Sequence, residues 1–205
     1  MRHLSLDEFT SRLASVDPTP GGGSASAVAG AFGAALIAML ARLSMARGGD
    51  DALFARTAEA MDRVRTTLLD HAAEDARAYD AVMAAMRMAR GSDEEKRART
   101  QAIQRAMREA AEVPLDVAGQ ALAVLEAARE ILPTANPNAA SDGGVAVFLS
   151  YASAHGAIAN VRINLTSIKD EEYRKAVRAR VDEVVQRTTE LRDEGMAIVQ
   201  ERLAR

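Results

Sequence analysis

The sequence predicts an all-α fold, a single-domain bundle of long helices over residues 1–205, and three observations carry that prediction. Hydrophobic residues make up 48% of the 205 positions, yet aromatics are only 3% and tryptophan is absent. A core of that composition is built from thin, alanine-class side chains and closely approaching backbones, which favours helices over sheets. Apolar residues recur at helical spacing along nearly the whole chain, and no run of alternating residues marks a strand. No linker long enough to divide two domains interrupts this pattern, and no internal repeat aligns.

The elements follow in order. "LSLDEFTSRLAS" places Leu4, Phe9 and Leu13 near one face of a short amphipathic helix that stops before Asp17 and Pro18. After the glycines 21–23, Ser24 is a good N-cap for a second helix that runs to about Ala46, where "RGGD" ends it. Its residues are small on every side, so neighbouring helices can approach it closely and it belongs at the centre of the fold or of a subunit interface. A third helix fits residues 51–89, with a kink allowed for its length. Ser92 and Glu95 form a capping box that opens a fourth. Pro114 is expected to bend or restart it, giving a fifth piece that ends at Pro133. Beyond the loop "PTANPNAASDGG", Ser141 caps a helix through about Ile168, and from Asp170 a final amphipathic helix carries Val177, Val181, Val184, Leu191 and Ile198 inward.

Composition removes several classes of function. Lys and Arg total 26 against 29 Asp and Glu, net charge −3, with both signs scattered, so the chain has no nucleic-acid footprint. There are no cysteines, which excludes disulfides, thiolate metal sites and cysteine nucleophiles. His3, His71 and His155 are far apart and form no zinc-binding pattern, so no metal is expected. Residues 18–41 carry no charge, but the unbroken apolar part, Ala27 to Ala41, is 15 residues of mostly alanine and glycine. That is short of the roughly 20 that a bilayer demands, and a buried helix rather than a membrane span is expected. Charges at Arg2, Asp7, Glu8 and Arg12 spoil a signal-peptide reading, so the expected location is cytoplasmic.

Three stretches hold polar residues that a plain bundle does not require. Gly21, Gly22, Gly23 and Ser24 feed a helix N-terminus whose free N–H groups suit an anion; equally, the glycines could serve only a tight turn and a close backbone crossing, and the residues alone favour that second reading. No lysine of a phosphate-binding loop is present and no strand precedes the turn. Asp142 and Asn160 are 18 residues apart, five helical turns, and so share one face, with Asn164 one turn further. Two amides in so apolar a helix need partners, which could be another helix's backbone, each other, or a ligand; Asp142 could simply complement the helix dipole. In "HAAEDARAYDAV", Glu74 and Asp80 read as solvated, whereas Leu68, Ala72, Tyr79 and Val82 neighbour Asp75 at helical spacing and could carry it inward. A carboxylate drawn into an apolar site suits a cationic ligand or general-base work. His155, on an alanine-rich helix, reads as a satisfied core histidine.

Taken together, "DPTPGGGSASAVAGAFGAAL" at 17–36, "DARAYDAVMAA" at 75–85, "RTQAIQRAMREAAEVPLDVA" at 99–118, and "NPNAASDGGVA" with "ANVRINLTSIKD" at 136–170 resemble the cyclodeaminase/cyclohydrolase family of folate one-carbon enzymes. The resemblance spans most of the chain in the family's order. It implies an all-helical homodimer acting on a folate, with no metal and no cofactor. The methenyl form of the substrate carries a cationic amidinium bridge. Asp75 or Asp142 would stabilise that charge and take a proton from attacking water, and Asn160 and Asn164 would orient the developing tetrahedral carbon. Gly21, Gly22, Gly23, Ser24, Asn138 and Ser141 would contact the substrate. Hydrolysis to 10-formyltetrahydrofolate is the first expectation, because the 205 residues hold no formiminotransferase domain to supply a formimino substrate; cyclodeaminase, releasing ammonia, is the alternative. A catalytically silent helical dimer, or a subunit that only binds folate, is a further one.

Overall fold

The computed structural model describes residues 4–48 and 50–204, and among these residues every regular element is helical. Six α-helices follow one another: α1 (Leu6–Leu13), α2 (Gly22–Met45), α3 (Asp51–Met86), α4 (Asp93–Ile131), α5 (Ala140–Leu165) and α6 (Glu171–Leu203), with a short 3-10 turn at Pro137–Ala139 leading into α5. His3 lies outside the described residues. The fold matches the expected all-α bundle, but four local expectations need correction.

Ser24 does not cap α2. The helix starts two residues earlier, its N-cap is Gly21, and Gly21 has no side chain to do the capping. Ser141 is likewise not a cap, since α5 begins at Ala140 behind the 3-10 turn. The third helix ends at Met86 and the sharp break at Pro114 does not occur: α4 runs unbroken for 39 residues with that proline inside it. A proline removes the N–H that would bond the carbonyl four residues back, here Ala110. Asn164 of α5 supplies the missing donor, its Nδ2 lying 2.6 Å from the Ala110 oxygen. The orphaned carbonyl is satisfied from a neighbouring helix, so α4 continues.

The other long helices start conventionally. Asp50 caps α3 at Leu53 N–H, Ser92 and Glu95 form the capping box of α4, and Asp170 caps α6 at Tyr173 N–H. α2 and α5 lie at the heart of the bundle, α2 against α3, α4 and α5, and α5 against α2, α4 and α6. They approach closely because glycine faces serine across the contact: a Cβ on Gly30 would collide with Ser153 Oγ, one on Gly33 with Ser150 Oγ, and one on Gly156 with Ser26 Oγ. Both helices are apolar and long enough by composition to span a membrane, and more than half of the most apolar window of α2 is buried inside the bundle. Two core clusters run along the molecule and are joined by Val64 and Leu122, which pack against both. Phe54, Ile37, Leu40, Leu68 and Leu115 are among the fully buried side chains, each stabilising the fold by about 1.5–3 kcal/mol. The cluster that includes Leu68, Met107, Ala110, Leu115 and Val161 lies beneath the site described next.

Candidate active site

A cleft of about 320 Å³ opens where four segments meet: the loop and first turn of α2, the second half of α3, the middle of α4 and the last two turns of α5. Its polar groups are few. Asp75 comes from α3, Asn160 and Asn164 from α5, and the backbone of Gly21, Gly22 and Gly23 forms one rim. The glycine turn and the asparagine-bearing helix touch directly, since a Cβ on Gly22 would sit 3.6 Å from Asn160 Nδ2.

The bare N-terminus of α2 is capped from a distance. Asp75 Oδ2 accepts from Ser24 N–H at 2.9 Å and from Ser24 Oγ–H at 3.0 Å, while Ser24 Oγ also approaches the Ala72 carbonyl at 2.9 Å. A carboxylate at a helix N-terminus gains both the free N–H groups and the positive end of the dipole. The anion anticipated at this turn is therefore the protein's own Asp75. Ser24, expected to contact substrate, is instead wholly buried behind the carboxylate and holds it in place. Gly23 is required by that arrangement, because a Cβ there would land on the carboxylate itself, nearest to Oδ1. Oδ1 has no hydrogen-bond partner among the described residues and belongs to the wall of the cleft.

Burial pushes the Asp75 carboxyl above the ordinary carboxylate range, and the two Ser24 bonds pull in the opposite direction. Burial dominates. The result is a carboxylate held rigidly, more basic than a surface aspartate, with one oxygen pinned and the other facing open space.

Both asparagines spend their amide N–H on carbonyls. Asn164 bonds Ala110 across to α4, and Asn160 Nδ2 bonds the Gly156 carbonyl of its own helix at 2.9 Å. A carbonyl accepts only from a donor, so these bonds fix which way each amide points and leave each Oδ1 without a protein partner among the described residues. Asn164 thus joins two helices, Asn160 is braced on its own, and both line the cleft.

Of the apolar walls, Tyr79 and Val82 were named from sequence as neighbours of Asp75, whereas the methionines were not. Tyr79, Met83 and Met86 line the cleft from α3 and Met107 from α4. Asp75, Tyr79, Met83 and Met86 follow one another by four, four and three positions, so extending the Asp75–Tyr79 face along its helix would have found the two methionines on α3.

Other expected residues lie elsewhere. Asn138 and Ser141 are exposed and Asp142 is half-buried, all at the opposite end of α5 from Asn160. The 18-residue spacing does put Asp142 and Asn160 on one face, but at 1.5 Å per residue it also separates them by about 27 Å. Asp142 and Asn160 do not share one cleft within the chain. His155 packs on Tyr151 with ring centroids 4.1 Å apart and places Nε2 3.2 Å from Thr188 Oγ1, between α5 and α6; burial, then Arg162 and Arg192, lower its pKa. His71 pairs with Glu74 at 2.7 Å and Asp80 is exposed. A larger groove of about 490 Å³ between α4 and α6 has both of its arginines paired, Arg180 with Asp116 and Arg187 with Glu190 at 3.2 Å, and its glutamates are exposed, so it has no comparable buried carboxylate. Among the described residues no three His, Asp or Glu side chains gather as a metal-ligand set.

An all-helical bundle that seats one helix-capping, burial-raised carboxylate and two asparagines in a methionine-lined cleft has the make-up of a small-molecule site. The formiminotransferase-cyclodeaminase family model matches residues 5–183, and the chain belongs to that family. It is 37% identical to a methenyltetrahydrofolate cyclohydrolase of Methylorubrum extorquens over 172 residues, 82% of this chain and 83% of that one. It is 30% identical to the formimidoyltransferase-cyclodeaminase of Rattus norvegicus, over 89% of this chain but only 34% of that longer enzyme. Its backbone superposes on the crystal structure of formiminotetrahydrofolate cyclodeaminase from Thermotoga maritima with a TM-score of 0.88 and 32% identity, over 98% of each chain.

Proposed function

We propose that the protein is a methenyltetrahydrofolate cyclohydrolase, hydrolysing 5,10-methenyltetrahydrofolate to 10-formyltetrahydrofolate. The observation that carries this reading is Asp75, a carboxylate in an apolar cleft with Oδ2 held by Ser24 and Oδ1 free. The amidinium cation of the substrate is attracted to that charge. Water attacks the bridging carbon as Asp75 Oδ1 takes one of its protons, which gives a neutral tetrahedral carbon bearing hydroxyl and two ring nitrogens. Collapse of that centre forms the formyl C=O on one nitrogen and breaks the bond to the other, which leaves with a proton returned from Asp75. The hydroxyl's remaining proton passes to solvent. The Oδ1 atoms of Asn160 and Asn164 accept from the attacking water and the hydroxyl, and so fix their approach. Tyr79, Met83, Met86 and Met107 offer a flat, polarisable surface for the substrate's ring system. The reading uses no metal and no resident cofactor.

Cyclodeaminase is the second reading, favoured by the Thermotoga maritima formiminotetrahydrofolate cyclodeaminase, whose backbone follows this one over 98% of each chain. The same base and amides serve it, with ammonia as the leaving group. Purified protein mixed with the methenyl compound is expected to discharge its near-ultraviolet absorbance faster than buffer does. No acceleration, with ammonia released from the formimino compound instead, reverses the order, and binding of a folate analogue without turnover of either compound makes the protein a binding subunit.

We further propose a homodimer. α2 leaves Phe32, Met39 and Leu43 exposed, and α5 leaves Val145, Phe148 and Ile163, the last at 65% exposure, an apolar surface that a second copy would cover. Sedimentation of the protein should give twice the mass of the chain, and a Phe32→Glu, Phe148→Glu double variant should give the monomer mass; a monomer at micromolar concentration in the unsubstituted protein removes the proposal.

A further inference from the structure

On the far side of α5 from the cleft, a groove of about 430 Å³ lies between the end of that helix and the start of α6. Its chemistry is lopsided. Arg162 on α5 and Thr166, the residue that caps its C-terminus, line the groove together with Arg174, Arg178 and Asp182, spaced by four residues on α6. Three guanidinium groups thus share one depression with a single carboxylate in its lining.

The partners of these arginines do not explain their gathering. Arg174 bonds Glu171 through Nη1 at 2.6 Å, but its Nε is buried with no hydrogen-bond partner. Arg162 and Arg178 form no ion pair with a described carboxylate, whereas Arg180 and Arg187, on the same helix as Arg178, pair with Asp116 and Glu190. Arg174 and Arg178 stand at a helical spacing where like charges repel. Stability alone disfavours such a cluster, and an unpaired buried N–H adds to that cost. Guanidinium groups of this kind are the side chains that grip oxyanions in pairs of parallel bonds, and the groove is large enough for more than one such group.

We propose that this groove is a second ligand site, for a clustered oxyanion, either a run of carboxylates or a chain of phosphates. Two sources share that chemistry. Arg162 is two residues from both Asn160 and Asn164 and turned about half-way round the helix from them, so groove and cleft lie back to back across roughly one helix diameter, about 10–12 Å. The oligoglutamate tail of a folate leaving the cleft would reach the groove around the end of α5; a separate phosphorylated compound would occupy it alone.

The test uses tripolyphosphate and γ-linked triglutamate as probes, titrated calorimetrically at low salt into the full chain. Both are expected to bind, and Arg162→Gln with Arg178→Gln to weaken each by about tenfold or more, the loss of two charge-assisted contacts. Equal binding by the variant, or no binding by the unsubstituted protein, overturns the site. In the unsubstituted protein the Arg174 Nε–H resonance should move on adding tripolyphosphate, and an unmoved resonance overturns the proposal without depending on how the variant folds. Turnover then separates the sources. A raised KM for triglutamyl substrate with monoglutamyl substrate unaffected identifies the tail; loss of probe binding with both KM values unchanged identifies a separate phosphorylated ligand. Should the protein turn over neither substrate, the cyclohydrolase reading falls while the calorimetric result stands by itself.

Discussion

The N-termini of α2 and α4 solve the same problem by opposite means. α4 is capped by its own sequence, Ser92 and Glu95 bonding each other's backbone within four residues. α2 begins on three glycines, has no local cap, and receives its acceptor from Asp75, 51 residues away on another helix. A local cap is complete when the helix is, and its oxygen has nothing further to offer. The distant cap must project a carboxylate across a gap between helices, and it is that gap which becomes the cleft. The difference is between a device that stabilises one helix and a device that also builds a site.

The sharpest way to break this comparison is Asp75→Asn. The amide oxygen still accepts from Ser24 N–H, so the thermal midpoint is expected to stay within a few degrees, while kcat falls about 10²–10⁴-fold with the loss of the base. Full turnover in that variant would reduce Asp75 to a cap like the others. Gly23→Ala comes next: its Cβ displaces the carboxylate, and we expect about 1–3 kcal/mol of destabilisation by chemical denaturation together with at least about a tenfold loss of turnover. Ser92→Ala supplies the contrast, a loss of about 1 kcal/mol with turnover unchanged. The smallest expected effect is the most specific. Asp75 is raised by burial and lowered by Ser24, so Ser24→Ala should move the acidic limb of the kcat/KM profile to higher pH, and an unmoved or lowered limb would detach the base from its clamp. The sign for stability runs the same way: a carboxylate raised in the fold is held more favourably when protonated, so its charge costs stability above the folded pKa and that cost is relieved as pH falls through it.

Much of the fold could be read from local signals, because the caps at Asp50, Ser92 and Asp170 are local chemistry. What could not be read was decided between helices. Pro114 is a helix breaker by every local rule, and only the arrival of Asn164 at Ala110 makes the unbroken α4 tolerable. Ser24 follows three glycines as an N-cap should, yet its backbone is already helical because Asp75 takes over the cap. For the site, Asp75, Asn160, Asn164 and the glycine turn were legible as polar or loose residues in apolar surroundings. Asp142 misled because periodicity reports the face of a helix and is silent about distance along it.

One consequence of the α2 arrangement concerns when the site comes into being. The opening turn of α2 has no side-chain cap of its own, so with α2 and α3 apart the N–H of Ser24 lacks its acceptor and the carboxylate is not seated. Docking of α3 on α2 and the seating of Asp75 are then a single event. The amide proton of Ser24, exchanging with solvent only when that docking opens, would report both at once.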